Sequence, residues 1–228
     1  MTIEVVALDG DDTLWHSEVA FKAVEERFGN LLAAHVDMDR VSDELLAIER
    51  LNLARFGYGV KSFVLSMIET AISITDGAVT APEIHQIIDL GKWLLDHPIE
   101  LLDDVEETVP QLAERYHLLL ITKGDLLHQE TKVAASGLAD HFAGVHIVTY
   151  KDATTYRSVI DTLAVDPTRF LMAGNSLPSD VLPVIEAGGH GVHIPHEHEW
   201  EAERLAADVA VPTVDRLGQL PGLIDDLG

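Results

Sequence analysis

The run Ile3-Glu4-Val5-Val6-Ala7-Leu8-Asp9-Gly10-Asp11-Asp12-Thr13-Leu14-Trp15 decides how the rest of the chain is read. Its first part is apolar and β-branched, which predicts a short buried strand. Asp9 then falls at the strand's carboxyl end, the rim at which open α/β sheets bind ligands. Asp11 follows two residues later. In an extended segment the two carboxylates share a face, placed to hold a cation between them and to divide nucleophilic and acid–base work. Gly10 lets the backbone come close to a ligand. Asp12 reads more simply as turn or helix-cap chemistry.

Composition frames this motif. A chain of 228 residues, 47% hydrophobic, buries a sizeable core and suits one large domain or a domain with an insert. The 39 acids against 15 Lys and Arg give a net charge of −24. Nucleic acid and anionic membrane surfaces are repelled at long range by such a chain, and neither is expected as a partner. An anionic small substrate needs local positive charge or a metal. The absence of cysteine excludes disulfides, thiolate catalysis and cysteine-ligated zinc, and fits a reducing compartment. With no basic leader, no apolar signal core and no bilayer-length apolar stretch, a cytoplasmic location is expected.

After Trp15 the pattern changes. Residues 15–98 show apolar positions at helical spacing (Val19, Phe21, Val24, Phe28, Leu31, then Leu45, Leu46, Ile48, Leu51), with further helices near Lys61–Ile74 and Ala81–Leu95 and Pro98 closing the block. From residue 99 helices and strands alternate. Helices are expected near Val105–Tyr116, with Pro110 interrupting or kinking the first, and near Leu126–Ser136, Thr154–Ala164 and Asp180–Ala187. Strands are expected at His117–Ile121, Val145–Thr149, Phe170–Ala173 and Gly191–Ile194, with Val209–Val211 as an edge strand. The fold class is therefore α/β, a doubly wound, Rossmann-like parallel sheet formed by 1–14 and 99–228, with an α-helical domain, 15–98, inserted after the first strand.

Each later strand ends in a residue suited to phosphate. Leu118–Ile121 leads into Thr122-Lys123-Gly124-Asp125, Val145–Tyr150 into Lys151, and Phe170–Ala173 into Gly174-Asn175-Ser176-Leu177-Pro178-Ser179-Asp180. Four strand ends thus converge on one edge.

On these residues the chain resembles the haloacid dehalogenase superfamily, most of whose members are magnesium-dependent phosphohydrolases. The family's first motif, Asp-x-Asp-x-Thr, stands as Asp9 to Thr13, the second as Thr122, the third as Lys151 and the fourth as the Gly174 to Asp180 loop. The helical insert is similar to the family's cap. The resemblance implies a phosphomonoesterase acting on a small phosphorylated metabolite, with homodimer formation left open. It implies Asp9 as the nucleophile that becomes an aspartyl phosphate, and Asp11 as the acid that protonates the leaving group and then the base for water. Mg²⁺ would be held by the Asp9 carboxylate, the Asp11 carbonyl and a fourth-motif side chain. Thr122 would bond a phosphoryl oxygen, and Lys151 would stabilise Asp9 and the transferring phosphoryl group.

Two departures stand out. Relatives carry Gly-Asp where this chain has Gly174-Asn175, which leaves either Asn175 or Asp180 as the direct ligand and implies weaker metal binding. Lys123 follows Thr122 where relatives often carry a small or amide residue, adding positive charge that reaches either substrate or solvent. In the insert, the Arg55-Phe56-Gly57-Tyr58-Gly59-Val60-Lys61 connection offers Tyr58 and Lys61 as leaving-group contacts, against ordinary helix-turn packing. Trp15 and His16 either floor the pocket or begin the linker. His190, His193, His196 and His198 have the spacing of a transition-metal site but no fixed partner set. Two other readings compete with the phosphatase. One is a haloacid dehalogenase proper, a branch without an acid at the Asp11 position; the other is a non-catalytic binding module on the same fold.

Overall fold

The computed structural model describes residues 2–204 and 209–227. Its central sheet has five parallel strands in the order β3-β2-β1-β4-β5: β1 Val5–Leu8, β2 His117–Lys123, β3 Gly144–Val148, β4 Phe170–Gly174 and β5 His190–His193. The helices are α1 Glu18–Leu32, α2 Met38–Phe56, α3 Val60–Ile74, α4 Ala81–Leu95, α5 Val105–Arg115, α6 Leu126–Ala135, α7 Ala153–Leu163, α8 Leu182–Glu186 and α9 Leu220–Leu227.

The chain divides into two compact units. One comprises Met1–Ser17, Ile99–Lys123 and Gln129–Gly228, the other Glu18–Pro98 with Gly124–His128. In the first, strand residues alternate between two cores as the period of two requires. Val6, Leu8, Leu118, Leu120, Leu171 and Ala173 pack with Val105, Val109 and Leu112 of α5 and Ile224 of α9. Val5, Ala7, Leu119, Ile121, Phe170 and Met172 pack with Tyr156, Val159 and Ile160 of α7 and Val184 of α8. A sheet buried on both faces needs near-continuous apolar strands, and β1, β2 and β4 supply them.

The second unit has its own core of Val24, Phe28, Leu32, Val41, Leu45, Phe63, Met67 and Ile87. Its α4 starts on a capping box in which Thr80 and Glu83 satisfy each other's backbone N–H groups. Val19 and Leu51, which fit the apolar spacing, are exposed. Among the described residues no helix is long and apolar enough to cross a membrane.

Three expected elements differ. Helix α5 continues through Pro110; the carbonyl that loses its partner belongs to Glu106, an exposed residue. The helix expected from Asp180 instead begins with a π-helical turn over Leu177–Val181, closed by Leu182 N donating to Leu177 O. Pro183 has no N–H for the Ser179 carbonyl four residues back, and the Tyr156 hydroxyl donates to it at 2.9 Å. Val209–Val211 forms no strand. Pairing there shrinks to a bridge between His193 and Thr213, because Pro212 offers only its carbonyl, which accepts from His193 N at 2.9 Å.

Candidate active site

The sheet register brings the motif residues to one edge. Leu8 pairs with Leu120 on one side and Ala173 on the other, so Asp9, Thr122 and Gly174 emerge together at the carboxyl ends of β1, β2 and β4. Lys151 lies three residues beyond β3, directly before the cap of α7. Asp152 caps that helix by accepting from Thr155 N at 2.8 Å, and the Thr155 hydroxyl ties down the Tyr150 carbonyl at 2.8 Å.

The Lys151 ammonium holds two buried carboxylates. It donates to Asp9 Oδ1 and, at 2.6 Å, to Asp180 Oδ1. Asp180 Oδ2 accepts from Ser176 N at 3.0 Å, which locks the fourth-motif loop to the same lysine. A Cβ at Gly174 would collide with the Asp180 carboxylate, so only glycine fits there. Burial alone would depress the Lys151 pKa; Asp180 and Asp9 outweigh it and keep the group charged. Burial pushes Asp9 up to about 7 against the pull of Lys151, with the Asp180 and Asp11 charges adding to the rise.

Asp11 sits in a clasp of three donors. Trp15 Nε1 reaches Oδ1 at 2.6 Å, Lys132 Nζ reaches Oδ1 at 2.7 Å and Gln129 Nε2 reaches Oδ2 at 2.8 Å. Burial works to raise this carboxyl, but Lys132 and the hydrogen bonds hold it below its ordinary value. Trp15 is fully buried, with its ring edge where a Gly10 Cβ would lie, 2.7 Å away. Asp12 accepts from Ser17 N at 2.9 Å, as a turn residue does.

Asn175 faces the acids. Its backbone N–H donates to Thr13 Oγ1 at 3.1 Å, and one end of its side-chain amide lies 3.2 Å from both Asp9 Oδ2 and the Asp11 carbonyl. With the amide oxygen inward, three oxygens converge and repel unless a cation lies among them. With the nitrogen inward, the amide donates to both acceptors. Asp9 Oδ2, the Asp11 carbonyl and, with its amide turned oxygen-inward, Asn175 are the groups that could hold a hard cation, whereas both Asp180 oxygens are occupied by protein donors. Among the described residues no group of three or more His, Asp or Glu side chains is arranged to hold a metal, the His190–His198 cluster included. His193 instead contacts the Asn175 carbonyl at 3.0 Å and His196 lies 3.7 Å from Asp12.

Thr122 is buried at the end of β2. Its neighbour Lys123 donates to Glu203 and, at 2.7 Å, to Ser179 Oγ. Glu203 also accepts from Ser176 Oγ at 2.6 Å and Ser179 Oγ at 3.0 Å; these donors overcome burial and hold its carboxyl below the usual range. In the second unit, Lys61 N donates to Asp125 Oδ2 at 2.9 Å and its ammonium lies 3.3 Å from Asp125 Oδ1, while Tyr58 is half-buried between Gly57 and Gly59. The structure thus gathers Asp9, Gly10, Asp11, Thr13, Thr122, Lys123, Lys151, Asn175 and Asp180 in the sheet-bearing unit and places Tyr58 and Lys61 in the other.

Sequence reading missed Trp15 as a donor, Gln129, Lys132, Tyr156 and Glu203. Gln129 and Lys132 carried a readable sign. Three apart on a helix that follows the second motif, they share a face.

A family model described as "Hydrolase: haloacid dehalogenase-like hydrolase" matches residues 3–188. A haloacid dehalogenase-like family hydrolase from Xanthomonas campestris is 41% identical, with 99% of this chain and 92% of that chain covered and a TM-score of 0.89. A 2-haloacid dehalogenase from Pseudomonas syringae pv. tomato DC3000 has 22% identity, full coverage of both chains (100% each) and a TM-score of 0.64. A predicted phosphoglycolate phosphatase from Haemophilus somnus 129PT has 15% identity, 98% coverage of each chain and a TM-score of 0.68. The last two likenesses show the fold alone. No curated protein matches the sequence.

Proposed function

The chain belongs to the haloacid dehalogenase-like hydrolase family, and we propose that it is a magnesium-dependent phosphohydrolase acting on a small phosphorylated metabolite. The observation that carries this reading is the convergence of Asp9 Oδ2, the Asp11 carbonyl and the Asn175 amide, at 3.2 Å from the amide to each of the other two. A carboxylate attacking a phosphate dianion needs its repulsion offset, whereas attack on a neutral haloalkane carbon does not. A Mg²⁺ bound by this donor set supplies that offset.

Asp9 Oδ1, on the Lys151 side, forms the bond to phosphorus as the bond from phosphorus to the leaving oxygen breaks. Asp11, having taken up the proton of the bound monoanionic phosphomonoester, passes it to that oxygen. Water then attacks the aspartyl phosphate, the Asp11 carboxylate takes a proton from it, and the bond between Asp9 and phosphorus breaks. Lys151 stabilises Asp9 and the charge on the transferring group, and Thr122 bonds a phosphoryl oxygen. Asp180 fixes Lys151 and the fourth-motif loop. Tyr58 and Lys61 are proposed as leaving-group contacts.

The competing 2-haloacid dehalogenase reading has Asp11 and Thr13 against it, since that branch carries no acid at the Asp11 position. Trp15, Gln129 and Lys132 hold the resting Asp11 as an anion, ready as the base for water. A panel of phosphomonoesters assayed with and without Mg²⁺, beside chloride release from 2-chloropropionate, separates the two. Phosphate release that requires Mg²⁺ is the expected result; chloride release alone overturns the proposal.

A further inference from the structure

Glu203 lies beyond residues 3–188 matched by the family model and reaches the carboxyl edge of the sheet from the segment after β5. Its carboxylate takes three donors there: Ser176 Oγ at 2.6 Å, Ser179 Oγ at 3.0 Å and the Lys123 ammonium. Lys123 and Glu203 side chains are only 16% and 14% exposed, so little solvent screens the pair. Through Ser176 the carboxylate joins a chain of hydrogen bonds that runs to Asp180, Lys151 and Asp9.

A lysine directly after Thr122 would, if its charge were open, draw any second anionic group carried by a substrate. Here that charge is cancelled by a carboxylate within contact, and a net charge of −24 supplies no background attraction. We propose that Glu203 masks Lys123 and so makes the site select phosphomonoesters whose leaving group carries no second anionic group at this edge. This rests on the phosphohydrolase reading and narrows it to neutral, hydroxyl-bearing or aryl leaving groups over phosphorylated carboxylates and bisphosphates. Selectivity arises here because an added carboxylate meets a neutralised Lys123–Glu203 pair where it would otherwise meet an ammonium.

The test compares two non-hydrolysable probes by titration calorimetry in Mg²⁺: methylphosphonate, with one anionic group, and phosphonoacetate, with a carboxylate in addition. The full-length wild type is expected to show little preference for phosphonoacetate. Glu203→Gln should raise that preference by about ten-fold or more, ten-fold being the size of one unit charge felt through solvent. Lys123→Met in the Glu203→Gln background should remove the gain, a dependence that a purely structural role for Glu203 would not produce. An unchanged preference in Glu203→Gln, or a gain that persists without Lys123, overturns the proposal. If Glu203→Gln fails to fold, Glu203→Asp decides: its shorter side chain draws the carboxylate back from Lys123, so the preference for phosphonoacetate should rise above that of the wild type, and an unchanged one overturns the proposal. Failure of methylphosphonate to bind contradicts the phosphohydrolase reading, whereas the preference between probes speaks only to masking.

Discussion

Asp180 accepts a hydrogen bond from the Lys151 ammonium at 2.6 Å, with both side chains 1% exposed. With its other oxygen on Ser176 N at 3.0 Å, Asp180 is engaged on both sides by protein donors. Asn175, by contrast, turns its amide toward Asp9 and the Asp11 carbonyl. The fourth motif thus separates two positions, with Asp180 anchoring the lysine and Asn175 facing Asp9 and the Asp11 carbonyl.

Asp180→Asn should therefore lower stability by about 3 kcal/mol, the scale for breaking a buried ion pair from one side. Chemical denaturation checks this. The variant should keep measurable Mg²⁺ affinity, and its complete loss would make Asp180 the direct ligand.

Asn175→Asp should tighten Mg²⁺ binding, since a carboxylate replaces a neutral amide among the converging oxygens. Activity need not rise with it. The new charge also draws the Lys151 ammonium away from phosphate, so Mg²⁺ titration and kcat are to be read separately. An unchanged Mg²⁺ affinity would remove Asn175 from the cation's ligands.

Lys132→Met should lower stability by about 2 kcal/mol at neutral pH, the scale of a charge-assisted hydrogen bond. The pH dependence has a definite sign. The Asp11 carboxyl is held below its ordinary 3.8, so its contribution is full above that value and is lost as pH falls through the lower folded value. The gap between wild type and variant should close below about pH 3.8 in acid unfolding. A gap constant down to pH 2 would mean that Lys132 acts by packing alone.

Asp11→Asn should still form phosphoenzyme with an aryl phosphate, whose leaving group needs little protonation, yet hydrolyse it slowly. Rapid-quench kinetics should show a burst followed by a turnover rate lower by about 10²–10⁴, the usual worth of a general base. Turnover at the wild-type rate would confine Asp11 to its backbone carbonyl.

The part of this site that was legible in the sequence is the part carried by strands. Buried apolar runs have recognisable ends, and in a parallel sheet all such ends share one edge, so Asp9, Thr122 and Gly174 could be placed together before any coordinates. Lys151 needed only the following helix. Side chains that arrive from elsewhere left weaker marks. Lys132 and Gln129 look like the polar face of an amphipathic helix until Asp11 is set against them. Glu203 is one of 39 acids in a segment without periodicity, and only the folded chain brings it to Lys123. The π-helical turn at Leu177–Val181 was hidden for a related reason. It depends on Pro183, whose effect on the Ser179 carbonyl becomes apparent once Tyr156 is seen to satisfy it.

The central claim is that Asp9 is phosphorylated during turnover. The most direct measurement is rapid quench of the wild type with an aryl phosphate and Mg²⁺, followed by peptide mass spectrometry, with Asp9→Asn as control. The expected result is a phosphoryl group on the peptide containing Asp9, absent in the control, whose turnover is abolished because an amide is a poor nucleophile. Turnover that persists in Asp9→Asn would contradict the account, and so would an Asp9 peptide esterified by 2-chloropropionate in a protein that leaves phosphomonoesters intact.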